Sequence, residues 1–162
     1  MTQLLSVTIS ENLQSSNIVL PKPSAVAGNY AAYVEQNGVL AISGQTCKVN
    51  GELIHKGPIG IEEGEKSVAD GQEAAKICAL NVLAQVEAAC AGDWDRLERC
   101  LKLTVFVNCT PAFTSHPDVA NGASDIIVQL LGDKGVHTRA AVGAVSLPGG
   151  STVEIDGLFI IR

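Results

Sequence analysis

The sequence predicts an α+β fold, a two-layer sandwich in which a mixed β-sheet carries two helices on one face. Three observations predict it: Asn-Gly dipeptides at short turns, two segments with apolar residues at helical spacing, and strand-like runs around them. The predicted order of elements is β-β-α-β-α-β-β. We predict one domain over residues 1–162, in which residues 1–23 form an N-terminal extension.

The first predicted element is a β-hairpin over residues 30–43. Asn37-Gly38 lies between two apolar runs, and both positions of such a turn favour positive φ. Asn50-Gly51 predicts a second turn of the same type. In the preceding extension, Pro21 and Pro23 favour an extended conformation.

Two helices and three strands follow in the prediction. Residues 66–91 have alanine and aliphatic side chains on one face, and Gly92 marks the end of that helix. Residues 99–108 form a strand, and residues 117–131 form the second helix with Pro117 in its first turn. The last two strands cover about 138–146 and 151–161, joined by a turn over residues 147–150.

Both faces of the predicted last strand are apolar. Val153, Ile155 and Phe159 lie on one face, and Leu158 and Ile160 lie on the other. Because two helices cover only one face of the sheet, we expect self-association to cover the second.

Composition and charge restrict the class of protein. The chain has 46% hydrophobic residues and a net charge of −6, so we expect neither nucleic acid nor an anionic membrane as its partner. Apolar runs are too short to span a bilayer, and Met1 to Ser16 lack the pattern of a signal peptide. The five cysteines have wide spacings, typical of a reduced cytoplasmic protein.

Arg139 is the first candidate site residue. On a strand it shares its face with Ala141 and Gly143, whose small side chains leave space for a ligand. A guanidinium can bind a carboxylate through two hydrogen bonds, so we expect a small carboxylate as the ligand. The alternative is an exposed arginine in a surface salt bridge, which the pattern alone favours.

Glu154, Ser43 and Gly44 are further candidates. Glu154 lies on the last strand, where a carboxylate can orient water or transfer a proton, although a solvated strand residue fits equally well. Gly44 would let a ligand approach the backbone and Ser43 offers a hydroxyl, but an ordinary strand exit also explains both. If the last two strands form a hairpin, Glu154 lies opposite about Gly143, and Arg139 is roughly 13 Å further along. The pair would then meet a common ligand only at a contact between subunits.

The histidines and cysteines predict no metal site, and no nucleotide-binding motif is present. His55, His116 and His137 have no partner at metal-ligand spacing, and His137 lies near Arg139 as a pocket neighbour. Neither a Gly-rich dinucleotide motif nor a phosphate-binding loop occurs. We therefore expect no metal and no cofactor.

Three segments together resemble the RidA/YjgF family, members of which have also been called endoribonucleases. The resemblance covers roughly residues 22–162 and rests on these segments: Tyr30 with Ala41-Ile42-Ser43-Gly44-Gln45, Leu103 to Val107, and Arg139 followed by Leu147-Pro148 and Val153-Glu154-Ile155.

The resemblance implies a chorismate mutase-like fold, a homotrimer, and active sites between subunits. It implies hydrolysis of small enamines and imines, such as 2-imino acids, to 2-keto acids and ammonia. Arg139 would bind the substrate carboxylate, and Glu154 would position water. The remaining pocket residues would be Tyr30, Ser43 and Gly44 from a neighbouring chain, together with Asn121 and Ala141.

The chain also departs from the family pattern. Many members have a cysteine at the position of Ala141, and neither Cys47 nor Cys109 obviously replaces it. The loop over residues 47–64 is longer than in compact members, so the substrate can differ. Two alternatives therefore stay open: a non-catalytic trimer that binds a small carboxylate in a regulatory or chaperone-like role, and, less favoured by the acidic charge, a ribonuclease.

Overall fold

The structure is a computed structural model that describes residues 8–162. It begins with a short helix that the sequence patterns did not predict. Helix α1 (Ile9–Ser15) has a capping box, in which Thr8 Oγ1 accepts from the Glu11 N–H at 3.2 Å and the Glu11 carboxylate accepts from the Thr8 N–H at 2.7 Å. Asn12 Nδ2 donates to the Leu130 carbonyl at 2.9 Å, which docks α1 on the second long helix. Residues 1–7 of the predicted extension lie outside the described residues.

The main sheet has five strands: β1 (Tyr33–Gln36), β2 (Val39–Thr46), β5 (Leu97–Asn108), β6 (Thr138–Ala144) and β7 (Val153–Ile161). Their order in the sheet is β1-β2-β7-β5-β6, and only the β5–β6 pair is parallel. The predicted mixed sheet is therefore confirmed. Strands β3 (Lys48–Val49) and β4 (Glu52–Leu53) form a separate hairpin.

Both predicted Asn-Gly turns are confirmed. Asn37 and Gly38 have φ values of 53° and 79°, and Asn50 and Gly51 have 51° and 87°. These left-handed conformations cost asparagine and glycine little, and they match the twist of the flanking strands. The first turn joins β1 to β2, and the second joins β3 to β4.

Two long helices pack on one face of the sheet, as predicted. Helix α2 (Val68–Ala89) begins with a Ser67–Asp70 capping box and contacts β2 and β7; α3 (His116–Leu131) contacts β5 and β6. The helices approach so closely that a Cβ on Gly122 would overlap the Gln72 backbone. The buried side chains between helices and sheet form one cluster that includes Leu40, Leu83, Leu103, Ile127, Ile155 and Phe159. Within residues 8–162, no helix is long and apolar enough to cross a bilayer.

The predicted pairing of the last two strands is wrong. Strands β6 and β7 are not neighbours, because β5 lies between them and pairs with both. Glu154 pairs with Phe106, which in turn pairs with Val142 rather than Gly143. The segment over residues 147–150 is thus a crossover around β5 that contains a short 3₁₀ turn, Pro148–Gly150.

The second face of the sheet carries apolar side chains, as predicted. Strand β7 alternates buried residues with half-buried ones, and the half-buried set faces away from the helices. Val34, Val39 and Val142 lie on this face with 58%, 40% and 44% of their surface exposed. Leu158, Ile160 and Phe106 continue the same apolar surface.

Candidate active site

Arg139 lies on the edge strand β6 and extends over helix α3. It pairs with Leu103, which is buried under the helices, so its side chain points to the helical face of the sheet. Its Nη1 donates to Asn121 Oδ1 and to Ser124 Oγ, both at 3.0 Å, and its Nη2 donates to the Pro117 carbonyl at 3.3 Å. Three of the five guanidinium N–H groups are thus used, and the two that have no acceptor within residues 8–162 match the number a bidentate carboxylate needs.

A chain of hydrogen bonds holds the position of Arg139. The Gly135 carbonyl can only accept, so His137 Nδ1 carries the hydrogen of their 2.6 Å contact. His137 Nε2 then accepts from the Ser124 hydroxyl at 3.0 Å, while Ser124 Oγ accepts from Arg139. The guanidinium of Arg139 is therefore the donor at one end of this series of hydrogen bonds, and the Gly135 carbonyl is the acceptor at the other end. This series keeps the Arg139 side chain in one orientation before any ligand binds.

Asn121 and Ala141 lie on the same side of the sheet as Arg139. Asn121 is on the first half of α3, where its amide oxygen accepts from the guanidinium. Ala141 pairs with the buried Val105, one side-chain repeat along β6 from Arg139. Because the alanine ends at Cβ, it leaves space beside the guanidinium but offers no side-chain proton donor.

A second group of predicted residues lines a cleft of about 670 Å³ at the other end of the sheet. Tyr30, Gly44 and Glu154 belong to this lining, but Arg139, Asn121 and Ala141 do not. The β3–β4 hairpin and Lys56 form one wall, and Pro148 with Gly149 forms another. The long loop over residues 47–64 thus shapes the cleft directly.

Glu154 lies over the backbone of Gly44. A Cβ on Gly44 would overlap Glu154 Oε1, so only glycine lets the carboxylate occupy this position. Strand β2 has an irregularity here, because its pairing with β7 shifts between Ile42 and Gln45. Burial raises the pKa of the Glu154 carboxyl, and the nearby charge of Asp156 raises it further. A carboxyl with a raised pKa keeps its proton to higher pH, which suits a group that gives and takes a proton during a reaction.

Ser43 occupies the same irregularity but has a different role. Its Oγ donates to the Ala31 carbonyl at 2.7 Å, and its N–H donates to the Ala32 carbonyl at 3.0 Å. The hydroxyl does not line the cleft. Ser43 instead fixes the segment that carries the exposed Tyr30 ring into the lining.

Arg139 and Glu154 lie on opposite faces of the sheet. Arg139 pairs with Leu103, which pairs with Gly157 on β7, whereas Glu154 pairs with Phe106. Gly157 and Glu154 are three residues apart on β7. Because successive side chains of a strand alternate between the two faces, this odd separation places Arg139 and Glu154 on opposite faces. Two strand spacings and three residues separate their Cα atoms by roughly 14 Å. The assumed hairpin register was wrong, but the two side chains still have no common site within one chain.

Sequence reasoning missed several polar residues of these regions, among them Lys48, Lys56 and Ser124. Lys48 and Lys56 line the cleft, and neither forms a salt bridge within residues 8–162. Ser124 lies one helical turn after Asn121, a spacing that could have indicated it once Asn121 was chosen. The lysines had no such signal, because their place in the cleft depends on how the loop over residues 47–64 lies beside Gly44 and Glu154, which are distant in the sequence. No group of three potential ligands among the described His, Cys, Asp and Glu residues is placed to hold a metal ion.

Comparisons with known proteins agree with this architecture. The model of the YjgF/chorismate mutase-like, putative endoribonuclease family matches residues 10–157. The chain is 43% identical to Protein TCP17 of Trypanosoma cruzi over 159 residues, covering 98% of this chain and 97% of that protein.

Two solved structures extend the comparison. Atu1372 of Agrobacterium tumefaciens, a protein with unknown function, is 38% identical over 96% of this chain and 94% of its own, with a TM-score of 0.86. RidA from the Antarctic bacterium Psychrobacter is 26% identical over 88% of this chain and 96% of its own, with a TM-score of 0.58. The resemblance that the sequence motifs indicated is therefore confirmed.

Proposed function

We propose that this chain, which belongs to the YjgF/chorismate mutase-like, putative endoribonuclease family, hydrolyses small enamines and imines to keto compounds and ammonia. The observation that carries the proposal is Arg139, a guanidinium fixed by three hydrogen bonds that keeps two N–H groups for a ligand. Such a donor pair fits the planar carboxylate of a 2-imino acid. The similarity to a RidA structure supports the same reaction class.

The proposed reaction needs only the residues of the protein and water. Arg139 binds the substrate carboxylate and orients the imine carbon, which is already electrophilic. Glu154 takes a proton from the attacking water and transfers it to the imine nitrogen, which gives a carbinolamine. It then takes the hydroxyl proton of the carbinolamine and transfers it to the amine nitrogen. The C–N bond then breaks, releasing ammonia and leaving the 2-keto acid. The raised pKa of Glu154 supports these proton transfers.

We propose a homotrimer as the active form, with each site between two chains. Arg139 lies on an edge strand, where a second chain can approach it, and Glu154 lies in a cleft on the opposite face. The apolar surface around Val142 and Leu158 offers the contact area that such an assembly needs. Arg139 and Asn121 of one chain would then complete the cleft of Tyr30, Gly44 and Glu154 in its neighbour.

We propose that the protein works in the cytoplasm, as a control on reactive metabolites. All five cysteines are free thiols, and four of them are buried. Free thiols are typical of proteins in a reducing compartment.

A second candidate function is carboxylate binding without catalysis. Ala141 favours it, because this side chain supplies no proton donor beside Arg139. In this case a 2-keto acid would raise the melting temperature, and imine hydrolysis would not accelerate.

The deciding experiment couples an amino-acid oxidase, as the source of imine, to trapping by semicarbazide. We expect the wild-type protein to lower the amount of imine trapped by semicarbazide, and Arg139→Ala to leave that amount unchanged. Arg162→Ala is the matched control, because Arg162 pairs with Glu98 at the end of β7 and does not line the cleft. An unchanged signal with wild-type protein across several amino acids would contradict the proposal and favour the binding function.

A further inference from the structure

A thiol and an imidazole face each other beside the Arg139 region. Cys109 directly follows strand β5, and His116 is the first residue of helix α3. Cys109 Sγ lies 3.4 Å from His116 Nε2, a hydrogen-bonding distance for sulfur. The pair is on the helical face, and the Pro117 carbonyl next to His116 accepts a hydrogen bond from Arg139.

Two neighbours define the geometry of this pair. The Phe113 ring meets the His116 ring edge to face, with centroids 5.4 Å apart and an interplanar angle of 82°. This contact restricts rotation of the imidazole. On the opposite side, a Cβ on Gly143 would lie 2.7 Å from His116 Nε2 and 3.0 Å from Cys109 Sγ. Gly143 is exposed, so the absence of a side chain there opens the pair to small molecules.

Cys109 differs in exposure from every other cysteine of the chain. Cys47, Cys78, Cys90 and Cys100 are buried, whereas Cys109 is half-buried. Burial raises the pKa of the Cys109 thiol, so the sulfur is protonated at rest. A protonated thiol is a weak nucleophile, and it needs an adjacent base that takes its proton during attack. His116 Nε2 is placed to do this.

We propose that Cys109 and His116 form a nucleophilic site at which the Cys109 sulfur adds to small α,β-unsaturated carbonyl compounds. The sulfur forms a bond to the β-carbon, and the π electrons of the C=C bond move to the α-carbon. His116 Nε2 accepts the thiol proton, and the α-carbon is then protonated from the imidazolium. Nothing is released, and no oxidant or reductant is needed. This addition does not depend on imine hydrolysis.

The test measures alkylation of each cysteine by acrylamide in the native protein near neutral pH, by peptide mass spectrometry over time. We expect Cys109 to react before the four buried cysteines, and His116→Gln to slow its reaction by about tenfold or more. His55→Gln is the matched control, because this half-buried histidine is outside both the Cys109–His116 pair and the hydrogen bonds that hold Arg139. In this variant Cys109 should react at the wild-type rate.

A second variant tests the opening itself. Gly143→Ala keeps an allowed backbone but places a methyl group against both Sγ and Nε2, so Cys109 should again react more slowly. The buried cysteines report on folding, because their rapid alkylation would reveal an unfolded variant. Equal Cys109 rates in the wild-type protein and a folded His116→Gln variant would overturn the proposal, as would equal reactivity of Cys109 and the buried thiols in the wild-type protein.

Discussion

Arg139 and Glu154 point to opposite faces of one sheet, with strand β5 between their strands. Neither residue can reach a small ligand held by the other within the same chain. If both act on one substrate, each must meet its partner from a second chain. This relationship predicts how inactive variants should behave when they are mixed.

We expect Arg139→Ala and Glu154→Gln to be inactive alone and to regain activity together. In randomly mixed oligomers, a site needs an intact Arg139 from one chain and an intact Glu154 from the next, so about a quarter of the sites should be complete. Co-refolding equal amounts of the two variants, followed by the semicarbazide assay, measures this fraction. Each variant refolded with itself is the control, and absence of any recovery in mixed oligomers would contradict a shared site.

Gly44→Ala should reduce kcat without unfolding the protein. The new methyl group would overlap Glu154 Oε1 and displace the carboxylate from the cleft. Steady-state kinetics and thermal unfolding measure the two effects separately. The double variant Gly44→Ala/Glu154→Asp, with a shorter acid, should lose less than the two single variants predict by addition. Strict additivity would indicate that Gly44 acts on something other than Glu154.

Glu154→Gln should raise the melting temperature near pH 7. Burial raises the pKa of Glu154 above its ordinary 4.5, so the folded chain binds more protons than the unfolded chain between these two values. The free energy of unfolding therefore falls as pH rises through this window, and the ionised carboxylate destabilises the fold at neutral pH. Thermal unfolding of both proteins should show a difference at about pH 7 that shrinks towards about pH 4.

Glu63→Gln provides the comparison for this pH effect, because Glu63 is exposed on the loop and does not line the cleft. This variant should melt close to the wild-type protein near pH 7. A Glu154→Gln variant that melts below the wild-type protein near neutral pH would show that the carboxylate makes a net stabilising contact.

Gly122→Ala should destabilise the protein by about 1–3 kcal/mol. The added Cβ would overlap the Gln72 carbonyl, so α2 and α3 would have to separate. Urea unfolding measures the change, and Asp125→Ala on the exposed side of the same helix should have a much smaller effect. Equal stability of the two variants would mean that the helix contact adapts without cost.

Local sequence patterns determined the two Asn-Gly hairpins and the two long helices of this protein. Positive φ at Asn37-Gly38 and Asn50-Gly51 sets two hairpins, and apolar spacing sets α2 and α3, because both signals lie within a few residues. The Thr8–Glu11 capping box was equally local, although the helix that it begins was not predicted. Four candidate residues, Arg139, Glu154, Ser43 and Gly44, came from local sequence patterns. The other three, Tyr30, Asn121 and Ala141, came from the family resemblance.

Only the tertiary structure decided which strands are neighbours and which candidates meet. Residues 147–150 are predicted to form a turn, but no sequence pattern in or near this segment indicates that β5 lies between β6 and β7. That crossover separates Arg139 from Glu154, while the Gly44 irregularity and the β3–β4 hairpin form the cleft. Strand pairing depends on contacts between residues that are distant in the chain, so periodicity predicts the elements and packing decides the site.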